Sequence, residues 1–161
     1  MNASPPVVIR RPSPAKFAAE ATAAAALYLA SRRATLPGLR DPLTEAQTHA
    51  WMRTTVFERH SVRIADVDGE IVGFASRDGA WLMNLYVKPG WTGRGIGSRL
   101  LATVLAEAAA ITPVLRLSTF ARNEGARRFY ERHGFTAVMF GDGNANAEGE
   151  ADVRYERSTR D

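Results

Sequence analysis

The stretch Val87–Leu101, VKPGWTGRGIGSRLL, constrains this chain more than any other, because an apolar run meets a proline and three alternating glycines and then turns helical. The run before Pro89 reads as a strand, and Ile96, Leu100, Leu101, Val104, Leu105 and Ala108 fall on one face of a helix after the glycines. Gly93, Gly95 and Gly97 let the joining backbone take positive φ and approach a ligand with no Cβ between. The helix then aims its unpaired N–H groups, and roughly half a positive charge, at whatever lies in the loop. Such a junction is suited to phosphate. Two well-known phosphate loops are excluded. The dinucleotide fingerprint G-x-G-x-x-G fails from either start, meeting Ser98 or Leu100 where its last glycine belongs, and no Lys-Ser or Lys-Thr follows as a P-loop needs.

At 161 residues the chain is long enough for a single core, and residues 1–161 read as one domain. The alanine-rich run Ala18–Ala30 is broken by Glu20, Thr22 and Tyr28 and falls short of the roughly 20 apolar residues of a membrane span. The opening MNASPPVVIRRPSP lacks the apolar centre and cleavage site of a signal peptide, so a cytoplasmic protein is expected. Without cysteine there is no disulfide, no thiol nucleophile and no thiolate metal site, and His49, His60 and His133 show no metal-ligand spacing. The net charge of +4 comes almost wholly from arginines spread along the chain, Lys16 and Lys88 being the only lysines. That distribution argues against a nucleic-acid arm, though a modest positive field favours an anionic partner.

Val7–Arg11 reads as a first strand, Ala15–Arg33 as a helix after Pro12-Ser13-Pro14, and a second helix starts near Asp41 or Thr44 and runs past Trp51 toward Phe57. Asp68-Gly69 between Ser61–Val67 and Glu70–Arg77 predicts a hairpin, and Trp81–Val87 a third strand after Asp78-Gly79. The helix after the glycine loop is expected to stop at Thr112-Pro113, followed by a strand over Val114–Phe120. Asn123 caps a short helix whose Ala126, Phe129, Tyr130 and His133 share a face, and Gly134 closes it. Phe135–Phe140 and Asp152–Ser158 complete the strands, and GDGNANAEGEA between them is too polar and glycine-rich to pack. The order predicts an α+β fold, a sheet sandwiched by helices, without internal repeat.

Two motifs then carry a resemblance. Val87-Lys88-Pro89 followed by Gly95-Ile96-Gly97 resembles the coenzyme A pyrophosphate loop of the GCN5-related N-acetyltransferases, the GNAT superfamily, whose pattern is R/Q-x-x-G-x-G/A. Thr92 departs from it, standing where Gln or Arg is usual. About thirty residues on, Asn123–Phe135 looks like the second GNAT signature, N-x-x-A-x-x-F-Y-E-x-x-G-F, matched at every named position. The element order is also that of the GNAT fold: a mixed, mostly antiparallel sheet of about seven strands between about four helices.

The resemblance implies acetyl-CoA as co-substrate, an amine as acetyl acceptor, and no metal, nucleic acid or membrane partner. It implies that Thr92, Gly93, Arg94, Gly95, Ile96, Gly97 and Ser98 cradle the pyrophosphate. The backbone of Leu85, Tyr86 and Val87 would pair with the pantetheine arm, which requires that strand to splay from Val114–Phe120. Asn123, Ala126, Phe129 and Tyr130 would line the far side. Tyr130, a phenol expected to titrate near 10, would act as general acid on the departing thiolate. With no cysteine to form an acyl-enzyme, the amine attacks directly in a ternary complex. Where the family often has Glu or a bound water on the middle strands, this chain has Asn84, which can hold a water or orient the acceptor but cannot act as a base. His49, His60, Glu148 and Glu150 have no positional support as bases and read as solvated groups.

Acceptor sites in this family are shaped by the first two helices and the last hairpin loop. Asp142, Glu148, Glu150 and Asp152 in the latter would draw a cationic amine, whereas Arg32, Arg33 and Arg40 in the former suit an acid. A small-molecule acceptor is expected, with a peptide acceptor or a non-catalytic acetyl-CoA sensor as the alternatives. Edge strands in such folds often pair, which implies a homodimer.

Overall fold

The computed structural model describes residues 5–160; Met1–Ser4, the start of the stretch read for a signal peptide, and Asp161 lie outside the described residues. Strand β1 (Val8–Arg10) is followed by a single 3₁₀ turn at Pro14–Lys16 and helix α1 (Phe17–Thr35). Its small side chains Ala21, Ala24 and Ala25 are buried, so the helix lies close on the sheet against Ile64 and Phe74. Helix α2 (Glu45–Trp51) begins at the predicted Thr44, whose hydroxyl accepts from Gln47 N–H at 3.1 Å while Gln47 Oε1 accepts from Thr44 N–H at 2.9 Å. It widens to a π-helix over Met52–Phe57, with Met52, Val56 and Phe57 in the core, and returns to α-helix at 58–59.

Strands β2 (Ser61–Val67) and β3 (Glu70–Asp78) form the predicted hairpin, with φ of 50° at Asp68 and 85° at Gly69 as a two-residue turn requires. Then come β4 (Trp81–Val87), helix α3 (Ile96–Ala108), β5 (Val114–Phe120), helix α4 (Glu124–Arg132), β6 (Thr136–Gly141) and β7 (Asp152–Ser158). Helix α3 stops before the expected Thr112-Pro113 boundary, because a turn over 109–111 intervenes. No helix among the described residues is long and apolar enough to cross a membrane.

The strands make one sheet in the order β1-β2-β3-β4-β5-β7-β6, antiparallel throughout except at β4–β5. There the parallel pairing is confined to Trp81 opposite Arg116, so the two strands part beyond it. One core lies under α3 and α4, with Leu100, Leu101, Leu115, Leu117 and Tyr155 fully enclosed; the other lies under α1 and the π-helix. A bulge at Met83 sets which β4 side chains face which core. Ser76 pairs with Asn84 and Arg77 with Leu82, leaving Met83 without a partner. Leu82 therefore joins the α3-side core, while Asn84 and Tyr86 face the α1 side beside Ser76 and Phe74.

The loop between β6 and β7 corrects the expectation that it cannot pack. Glu150 takes a 2.9 Å hydrogen bond from Arg122, Asn146 Nδ2 donates to Glu150 O at 2.7 Å, and Glu148 receives Arg32 Nη2 at 3.0 Å. Polar side chains supply the order that apolar burial does not.

Helix α4 is tied to the sheet through Tyr155, whose hydroxyl donates to Glu131 Oε2 at 2.6 Å and accepts from Arg127 Nε at 3.0 Å. Removing that hydroxyl strands two partners without altering the ring's packing. Tyr155→Phe is expected to lower the unfolding free energy by about 1–2 kcal/mol, read as a fall in urea midpoint with unchanged slope.

Candidate active site

The glycine loop ends on Gly95, which caps the start of α3 with φ of 79° and ψ of 7°, and Gly93 is also left-handed at 75°. Gly97 differs from the expectation that all three glycines supply positive φ. It lies in the first turn of α3 with no positive φ, and a Cβ there would make only ordinary van der Waals contacts, 3.5 Å from Phe129 and 3.8 Å from Val87 Cγ2. The amides of the loop and first turn open onto a cleft of about 490 Å³ between β4 and β5. Leu85, Tyr86 and Val87 form one wall along the free edge of β4, and Thr92, Gly93, Gly95, Ile96, Gly97 and Ser98 form one end. Arg94 is the exception among the predicted residues; it is exposed, and its guanidinium stacks 4.7 Å above the Trp91 ring rather than lining the cleft.

Helix α4 supplies the opposite wall with Asn123, Ala126, Phe129 and Tyr130. Asn123 Oδ1 accepts from Ala126 N–H at 3.2 Å, so the predicted cap is also what fixes the helix start at the cleft. Phe129 packs edge-on against Tyr130 at 5.2 Å, and Tyr130 against Phe135 at 5.6 Å, which leaves the phenol little freedom. Tyr130 is buried, and that burial, with Tyr86 beside it, pushes its phenol well above the ordinary value near 10. The expected match to a thiolate thus shifts: the phenol is a firmly protonated donor rather than one poised to ionise.

The α1 side brings in residues that motif reading missed. Arg32 is buried at the cleft with its guanidinium 4.9 Å from the Tyr28 ring and 5.8 Å from Phe120, and it pairs with Glu148 at 3.0 Å. Burial works against that charge, but Tyr86, Tyr28 and Glu148 outweigh it and hold the guanidinium above its usual pKa. Tyr86 stands 4.9 Å from Tyr28 and stacks on Phe74, and burial raises its phenol as well. The two conflicting hints, a basic first helix and an acidic loop, are therefore two halves of one ion pair. The spacing from residue 32 to 148 leaves no trace in local sequence.

A smaller chamber of about 80 Å³ adjoins the cleft and shares Tyr86, Ser118, Asn123 and Tyr130 with it, while Asn84 and Met83 line it alone. Asn84 is thus brought next to Tyr130, as a middle-strand position should be. Among the candidate bases, Glu148 and Glu150 are engaged by arginines, His49 lines neither space, and His60 lies 3.2 Å from Ser76 Oγ instead of in solvent. Among the described residues no three His, Asp or Glu side chains gather as a metal site.

The sheet thus parts between two parallel strands, with a helix start at one end of the gap and a buried tyrosine along it. The family model described as an acetyltransferase (GNAT) domain matches residues 58–137. Solved structures agree on the fold. A GNAT-family acetyltransferase from Bacillus cereus superposes with a TM-score of 0.69 at 17% identity, covering 95% of this chain and 97% of that one. YncA from Salmonella typhimurium, solved with acetyl-CoA, gives 0.71 at 18% identity over 97% and 95%. The PaiA N-acetyltransferase from Thermoplasma acidophilum, solved with coenzyme A, gives 0.65 at 21% identity over 95% and 99%. A search of curated proteins by sequence finds no significant match. Residues 58–137 thus match a GNAT acetyltransferase domain, and the fold of the chain is shared with GNAT-family structures.

Gly95 offers a clean test of the helix start, since a Cβ there meets nothing within 4 Å and only the left-handed backbone opposes it. Gly95→Ala is expected to cost about 1–2 kcal/mol in urea unfolding.

Proposed function

We propose that the protein transfers the acetyl group of acetyl-CoA to the amine of a small molecule by direct attack, with Tyr130 as general acid. The observation that carries the proposal is the parting of β4 and β5, which leaves one continuous cleft from the amides at Gly93–Ser98 to the buried phenol of Tyr130. Pyrophosphate suits the loop, where helix N–H groups and left-handed glycine backbone face an anion. An extended pantetheine arm suits the free edge of β4, whose Leu85–Val87 backbone lacks a strand on that side. The thioester then lies near Tyr130 and the smaller chamber.

In the reaction the amine nitrogen bonds to the acetyl carbon, the carbon–sulfur bond breaks, and the sulfur takes the Tyr130 proton. The surplus amine proton leaves to water, and solvent returns a proton to the phenol. A backbone N–H near Val87 would stabilise the carbonyl oxygen as it gains charge. Because Tyr130 is held above the ordinary phenol range, its proton is present at every working pH and passes only as charge builds on sulfur. The β6–β7 loop is tied by Arg32–Glu148 to a residue that lines the cleft, and a loop held that close favours a small acceptor over a peptide.

The test is transfer of labelled acetyl groups to a panel of amines, polyamines, aminoglycosides and peptides. Tyr130→Phe is expected to lower kcat by roughly 10²-fold or more while acetyl-CoA binding by calorimetry stays near wild type. Unchanged turnover in that variant sinks the acid assignment. The wild-type rate should also show no alkaline loss from Tyr130 up to about pH 10, since its raised pKa keeps the proton on. Thr92→Gln, which restores the usual family residue, should alter coenzyme A affinity by less than about threefold if backbone amides carry the phosphate contact.

A further inference from the structure

His60, Ser76 and Asn84, scattered in sequence, form one hydrogen-bonded chain against the smaller chamber. Ser76 and Asn84 sit opposite each other across the β3–β4 ladder, and the Met83 bulge turns Asn84 to the same face as Ser76. Asn84 Nδ2 donates to Ser76 Oγ at 2.8 Å, and His60 Nδ1 lies 3.2 Å from the same oxygen. Ser76 is fully enclosed and Asn84 is 5% exposed. Among the described residues Asn84 Oδ1 receives no hydrogen bond, and Asn84 lines the chamber next to Tyr130.

Counting protons limits the polarity of this chain. A serine hydroxyl carries one hydrogen and accepts at two lone pairs. When Ser76 accepts from Asn84 and passes its own hydrogen on to His60, Nδ1 is unprotonated and neutral His60 carries its proton on Nε2. The reverse polarity needs a proton on His60 Nδ1 and turns the Asn84 amide so that its NH₂ group faces the chamber. Burial lowers the His60 pKa, against an opposing pull from Asp78, and so supports the neutral ring.

The difference matters to a nucleophile. An amide oxygen accepts an N–H of the amine and leaves the nitrogen lone pair free, whereas an amide NH₂ donates to that lone pair and ties up the electrons that must attack. We propose that His60 and Ser76 are positioning residues that lock Asn84 with its Oδ1 toward the chamber, where it holds an N–H of a primary-amine acceptor beside Tyr130. This rests on the acetyl-transfer reading above and assigns to the acceptor a nitrogen with two hydrogens, one held by Asn84 and one lost on acylation. A tertiary amine, or a secondary amine crowded on both sides, does not fit that requirement.

Two arms test it. In the kinetic arm, Asn84→Ala is expected to raise KM for the preferred amine about tenfold, the worth of one hydrogen bond, and Ser76→Ala several-fold, with KM for acetyl-CoA unmoved in both. An acetyl-CoA KM that moves instead, or acceptor kinetics that do not change, overturns the proposal. The second arm needs no turnover: ¹⁵N NMR should find His60 neutral with its proton on Nε2, and Ser76→Ala should shift its Nδ1 resonance. Adding n-butylamine to the protein with coenzyme A bound should move the Asn84 side-chain amide signals. A His60 proton on Nδ1, or Asn84 signals indifferent to the amine, overturns the relay. If coenzyme A binds but no amine is acetylated, the reaction class fails, and the NMR arm still decides the orientation of Asn84.

Discussion

Beyond Trp81 and Arg116, β4 and β5 separate, and the backbone of Leu85–Val87 is left without a neighbour on one side in the middle of a sheet. Unpaired amides at such depth are costly unless something hydrogen-bonds them. A separation of this kind persists only if other contacts hold the two halves apart. Here α4 does so: its Phe129 and Tyr130 occupy the widening gap, and Tyr155, buried on β7, anchors that helix through Glu131 and Arg127. Helix α3 fixes the other side, because Ile96, Leu100 and Leu101 bury into the core beneath β3 and β4 just past the loop. The cleft is thus a defect in sheet pairing maintained by two helices, and its polar needs are those of an extended ligand.

Charge in the cleft is arranged so that little is left free. Arg32 is buried among Tyr28, Phe120 and Tyr86 and answered by Glu148, so the loop that carries Glu148 is held by the same pair that neutralises the guanidinium. A buried ion pair of this kind adds little net stability, since desolvation opposes the attraction, but losing either partner exposes an uncompensated charge. Its effect is positional. It closes the cleft on the α1 side with aromatic surface while the positive helix end faces the opposite extremity.

Much of this was legible in the residues. Gly93 and Gly95 demanded a left-handed turn before a helix, Asp68-Gly69 demanded a hairpin, and Asn123 and Gly134 bracketed a helix, because each is a local rule acting over a few residues. The cleft walls followed from those elements through the family motifs. What escaped was set by partners distant in the chain. The Met83 bulge changes which face Asn84 occupies without any glycine or proline to mark it. Glu148 looked solvated because its cation lies in the first helix. His60 looked like a surface histidine at a helix end because Ser76 and Asn84 reach it only through strand register.

Among the described residues no aspartate or glutamate lines either chamber of the site. An alkylammonium entering the space beside Asn84 and Tyr130 meets a phenol, an amide and hydroxyls, with no carboxylate to balance its charge. An aliphatic amine titrates near 10 in water, but loss of hydration without a counter-charge lowers that value. In the proposed reaction the chamber would therefore favour the neutral amine that acyl transfer requires. Desolvation would then take over part of what a general base supplies elsewhere, and productive attack would depend on the orientation of an uncharged amide.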